Sequence, residues 1–134
     1  MKTGKLWIGH ADATALCNKL IAAARADGGA PITAGVAGAD GVLIALERMD
    51  GAPALGVNIL VAKLYTAVVG LKDTIERHGK GVNPADYNDP RITTFGGGVV
   101  VRADGRVIGA IAVSGRAPED DHRLADGARR TIES

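Results

Sequence analysis

The sequence predicts one α+β domain built on an antiparallel sheet with helices over its faces. Three observations carry this. Asp40-Gly41 and Asp104-Gly105 each separate two short aliphatic runs, the signature of a β-hairpin. Helix-period segments open and close the chain. A third, almost wholly apolar helical segment lies between the hairpins. At 134 residues the chain is read as a single domain, 1–134, with one sizeable core.

The elements follow in order. Residues 11–27 read as a helix with Leu16, Cys17, Leu20 and Ala24 on one face, opposite Asn18, Lys19 and Arg25. Gly28-Gly29 ends it, and Pro31 prevents continuation. Strands are expected at 32–37 and 42–48. The second is apolar on both faces over Val42 to Leu46, which predicts a place inside the sheet. Residues 57–69 form the middle helix. Its apolar residues surround the axis, which predicts burial on most sides and a homo-oligomer interface through helix 57–69. A shorter helix is expected at 71–78, then a polar loop broken by Pro84 and Pro90. Ile92 to Thr94 is read as a short strand, followed by strands at 98–102 and 107–114. Residues 120–132 close the chain as a helix with Leu124, Ala128 and Ile132 on one face. The sheet is thus expected to have five strands.

Composition excludes some functions. The net charge is +1, which favours neither nucleic acid nor an anionic membrane surface. Aromatic residues make up 3% of the chain, too few for a base-stacking platform. No apolar run has transmembrane length, and Met1 to Trp7 has no apolar signal region, so a cytoplasmic location is expected. Cys17 is the only cysteine, so no internal disulfide can form, and it reads as a buried small hydrophobe.

Chemistry concentrates in a few places. Arg48 and Asp50 leave the second strand and can either form exposed ion pairs or enter a cleft beside the middle helix. Lys63 sits mid-helix on the same face as Thr66, three positions on. An ammonium there must snorkel or find a partner, since burial without one is costly. One reading is a structural ion pair with Glu47 or Asp50. The other is a ligand anchor, with Thr66 as a second donor. Gly96, Gly97 and Gly98 follow Phe95 but lack a P-loop's Gly-Lys-Ser/Thr ending and lead into a strand. They form either a bulge or a backbone cradle for a ligand, with Phe95 as a cover. His10, His78 and His122 have no zinc-type spacing, so no metal site is expected. Glu119, Asp120 and Asp121 are read as a helix start, with Asp120 or Asp121 as the cap.

The stretch from Val42 to Pro53, the glycine triplet and hairpin from Phe95 to Gly115, and Lys63 between them resemble the GlcG/HbpS family of small bacterial domains. That family also occurs fused to PduO-type cobalamin adenosyltransferases. The resemblance runs from about Asp12 to Ala128. It implies a profilin-like α/β/α three-layer sandwich. It also implies that haem is a cofactor to consider, with His10, His78 or His122 as an axial ligand. The GlcG-like pattern has Lys and Thr at the spacing of Lys63 and Thr66. It often has acidic residues where this chain has Asn58 and Ala62, and Pro where it has Gly96.

Three functions remain open on these grounds. The first is a binding domain for haem, a corrinoid or a small organic acid, with Arg48, Thr66, Phe95 and Gly96 to Gly98 at the site. The second is an enzyme of bacterial catabolism acting on a small carboxylic acid, with Lys63 and Arg48 as anion anchors and Asp50 or a histidine moving protons. The third is an accessory subunit without a ligand.

Overall fold

The first helix, α1 (His10–Asp27), ends where Gly28 adopts a left-handed conformation at φ 68° and its N–H reaches the Arg25 carbonyl. The structure, a computed structural model, describes residues 7–133. Residues 1–6, which carry most of the segment read above for a leader, and Ser134 lie outside the described residues. The predicted apolar face of α1 is buried, with Ala13 and Ile21 added.

Strands β1 (Thr33–Gly38) and β2 (Leu43–Arg48) pair antiparallel across the expected turn, where Gly41 has φ 78°. After the middle helix α2 (Leu55–Gly70) come β3 (Gly98–Ala103), β4 (Arg106–Ser114) and the last helix, α3 (Pro118–Arg130). The sheet order is β2-β1-β4-β3, and each neighbouring pair is antiparallel. Pro118 in the first turn starts α3 two residues before the expected position, and the N-cap is Ala117 with no side-chain bond. Neither Asp120 nor Asp121 caps the helix.

Three layers result, as expected. Ala34, Val36, Val99, Val101, Ile111 and Val113 face α1 and α3, whereas Ala37, Val100, Ala110 and Ala112 face α2. Leu60 and Leu64 are the main side chains α2 buries against the sheet. Each contributes about 1.5–3 kcal/mol through removal from water. Their close approach depends on Gly35, where a Cβ would come within 2.5 Å of Leu60 Cδ2.

Three expectations need correction. Among the described residues the sheet has four strands, not five. Residues 92–94 form no strand because the Thr93 N–H donates to the Thr66 side chain instead of to a neighbouring strand. Residues 71–78 hold only a 3-10 turn, Thr74–Glu76. Leu71 turns left-handed at φ 59° and ends α2, and Thr74 is drawn to Gly98, whose N–H donates to its hydroxyl at 3.0 Å. Among the described residues strand β2 lies at a sheet edge, not inside, and only α1 covers it substantially. Its apolar run therefore leaves Leu43 exposed, with Val42 just before it. Within the chain α2 buries one side of its surface, and Leu55, Val61 and Val69 remain exposed. Among the described residues no helix is long and apolar enough to cross a membrane.

Candidate functional site

Lys63 is the one charged residue in α2, and the helix turns it inward. Its ammonium is almost completely buried and donates to the Val113 carbonyl at 2.8 Å and to Asp121 Oδ2 at 3.1 Å. Asp121 lies in the first turn of α3, where the helix dipole favours a carboxylate. Its second oxygen accepts the Arg116 backbone N–H at 3.1 Å. Three elements, α2, the end of β4 and the start of α3, thus meet at one ion pair.

Burial acts on both partners in the direction of neutrality. It pushes the Asp121 carboxyl up to about 6, against the pull of Lys63 and of the Arg116 N–H. Burial also lowers Lys63, and the adjacent Asp121 charge opposes it.

The pair forms the floor of an open cleft of about 280 Å³. Pro53, Leu55, Ile59, Phe95 and Pro118 make its apolar walls. Ser114 also lines it, with its hydroxyl donated to the Gly56 carbonyl at 2.6 Å. The Arg116 guanidinium borders the cleft but is committed elsewhere. It holds both Asp27 oxygens and the Ala24 and Ala30 carbonyls.

The glycine loop fits against this floor. Gly97 has φ 128°, and a Cβ there would lie 2.6 Å from Val113 O and 2.7 Å from Lys63 Nζ. A Cβ on Gly98 would meet the Lys63 carbonyl at 2.6 Å, and one on Gly96 would meet Ile75 Cδ1 at 2.4 Å. These glycines let the loop pack against α2 and the 3-10 turn. The Gly98 amide is already bound to Thr74. Thr66 accepts from the Thr93 N–H at 3.0 Å and tethers the same loop.

The structure brings Lys63 and Phe95 together in the cleft, with Gly97 and Gly98 against Lys63 and Thr66 supporting the loop. It does not bring Arg48 or Asp50 there. The Arg48 guanidinium donates twice to the Ala52 carbonyl, at 3.0 and 2.8 Å, closing its own turn. Asp50 is exposed and borders a different hollow with Ile21 and Arg25. The ion-pair partner expected for Lys63, Glu47 or Asp50, is therefore replaced by Asp121. His10 is exposed at the start of α1. His78 Nε2 lies 3.5 Å from Glu119, and His122 is half-buried on α3. None of the three lines the cleft.

Sequence reasoning missed Asp121 as the partner, and it missed Leu55, Ile59 and Pro118 as walls. The sequence signal for Asp121 was its acidic side chain in a helix start, which a capping role explained equally well.

Comparisons with known proteins agree with this architecture. The chain is 34% identical over 105 residues to an uncharacterized 15.0 kDa protein of the dhaT-dhaS intergenic region of Citrobacter freundii, covering 73% of each chain. It is 35% identical over 85 residues to the protein GlcG of Escherichia coli K12, covering 62% of this chain and 63% of that one. Its fold matches a crystal structure of a PduOC–haem complex with a TM-score of 0.79 at 26% identity, over 88% of this chain and 89% of that one. Residues 8–130 match the family described as haem degrading protein HbpS-like, and the chain belongs to that family.

Proposed function

We propose that this protein is a small-molecule binding domain whose ligand occupies the cleft above Lys63 and Asp121. The observation that carries this reading is the buried ion pair at the floor of an apolar-walled cleft. A few fixed polar groups in an apolar concavity are what orient a small ligand. Lys63 has three N–H donors, and two are committed to Val113 and Asp121. The third supports a hydrogen bond to a ligand.

The charge of Lys63 is balanced by Asp121, and Arg48 lies elsewhere. The cleft therefore suits a ligand with an apolar body and one hydrogen-bonding group better than a strongly anionic one. For the enzyme reading, Asp121 is better situated than Asp50 to exchange a proton with Lys63.

Haem is the ligand in the PduOC complex that this chain resembles. A bound haem iron takes an axial side chain such as histidine. His10, His78 and His122 all lie outside the cleft lining, and Lys63 is held by its two partners. The cleft residues do not fit an axially ligated haem.

We further propose that the protein assembles with copies of itself through the outer side of α2. Exposed Val61 and Val69, followed by exposed Leu71, support this reading.

Native mass spectrometry of freshly purified protein, compared with an Ile59→Glu variant, tests the site. Ile59 lines the cleft and is only half-buried, so the fold should survive. The unmodified protein is expected to carry or accept a small molecule that the variant loses. Equal retention by both would overturn the assignment.

A further inference from the structure

A lysine amine attacks a carbonyl carbon only as its free base. An ordinary exposed lysine is in that form on the order of one time in a thousand at neutral pH. Lys63 differs from such a lysine in three respects. It is buried yet lines an open cleft. Its nitrogen makes two of three hydrogen bonds, which leaves one position for a reacting atom. It also has a carboxylate 3.1 Å away, within proton-transfer reach, and that carboxylate is oriented by the Arg116 N–H.

We propose that Lys63 forms an imine with small uncharged aldehydes in the cleft, with Asp121 moving the protons; this rests on the reading of the cleft as a small-molecule site. Burial lowers the affinity of Lys63 for its proton and raises that of Asp121, so transfer between them is easier than for an exposed pair. The apolar walls and the committed Arg116 guanidinium favour an uncharged aldehyde over an oxo acid.

The step balances within the pair and the aldehyde. Asp121 takes a proton from the Lys63 ammonium. Nζ attacks the carbonyl carbon, the C–N bond forms, and the carbonyl π pair moves to oxygen. That oxygen receives the proton lost by nitrogen, giving a carbinolamine. Asp121 then protonates the hydroxyl, the C–O bond breaks, water leaves, and the nitrogen lone pair closes the C=N bond. The net change is ammonium plus aldehyde to iminium plus water. The positive charge opposite Asp121 is retained, and no oxidant or reductant takes part.

The test uses butyraldehyde with sodium cyanoborohydride, which traps the imine as a stable secondary amine. Peptide mapping by mass spectrometry follows alkylation at each lysine at neutral pH. Lys63 is expected to react faster than exposed Lys19, Lys72 and Lys80, by about tenfold for each pK unit of lowering. The preference should vanish in urea. Asp121→Asn should slow Lys63 and leave Lys19 unchanged; if that variant does not fold, the native and urea rates of the unmodified protein decide. Alkylation of Lys63 no faster than of the exposed lysines overturns the proposal. Butyramide, which cannot form an imine, separates the two readings by calorimetry. If it binds and Lys63 is not alkylated, the imine fails and the binding site stands. If it does not bind and Lys63 is not alkylated, both fail.

Discussion

Lys63 Nζ and Asp121 Oδ2 lie 3.1 Å apart although 58 positions separate the residues, and their side chains are only 3% and 2% exposed. The pair ties α2 to the start of α3 at the end of β4. A buried pair of this kind is costly to break and less costly to replace. Lys63→Met alone leaves a buried carboxylate, and Asp121→Leu alone leaves a buried ammonium. Each is expected to destabilise the protein by about 3–5 kcal/mol, and the double variant by much less than their sum. Urea unfolding of the four proteins checks this; additive losses would contradict the coupling.

The raised Asp121 carboxyl predicts a pH dependence. Its native value of about 6 lies above the ordinary 3.8, so the folded state holds a proton that the unfolded chain releases. The stabilisation this supplies is complete below the unfolded value and is lost as pH rises through about 6. Stability of the unmodified protein relative to Asp121→Asn should therefore fall between pH 4 and 7. A difference that rises over this range would overturn the assignment.

Gly97 should not tolerate a side chain. A Cβ would approach Val113 O at 2.6 Å and Lys63 Nζ at 2.7 Å, in a backbone conformation that disfavours L residues. Gly97→Ala is expected to cost about 3 kcal/mol or more, because strain and displacement of the ion pair add. Gly79→Ala is the control. It has φ 71° but nothing within 4 Å, so it should cost only about 1–2 kcal/mol, from backbone strain. Thermal unfolding compares the two.

The outer side of α2 can be tested without disturbing the core. Val61 is 40% exposed, whereas Leu64 is buried against the sheet. Val61→Asp should shift the protein to smaller species in light scattering while circular dichroism stays unchanged. Leu64→Asp should unfold it. A monodisperse monomer before any substitution would refute assembly through this face.

Cys17 should resist thiol reagents in the native state. It is fully buried in the α1 core, and burial, aided by nearby Glu47, pushes its thiol up to about 11. Stoichiometric labelling should appear only on unfolding. Rapid labelling of native protein would contradict this.

Much of the fold was legible in local pattern. The spacing of Leu16, Cys17, Leu20 and Ala24 defined the buried side of α1, and the two Asp-Gly pairs located both hairpins, because each signal acts between near neighbours. The sequence also required Lys63 either to snorkel or to find a partner, since its neighbours are nearly all apolar. The identity of that partner was not legible. Glu47 and Asp50 lie closer in sequence than Asp121, and only the order β2-β1-β4-β3 carries the end of β4 and the start of α3 beneath Lys63. The same order puts β2 at an edge, and the loop tether from Thr93 to Thr66 removes the expected fifth strand. A periodic pattern records which side of an element avoids water. Which distant group meets that side depends on how the layers pack, and no short-range pattern in the chain encodes it.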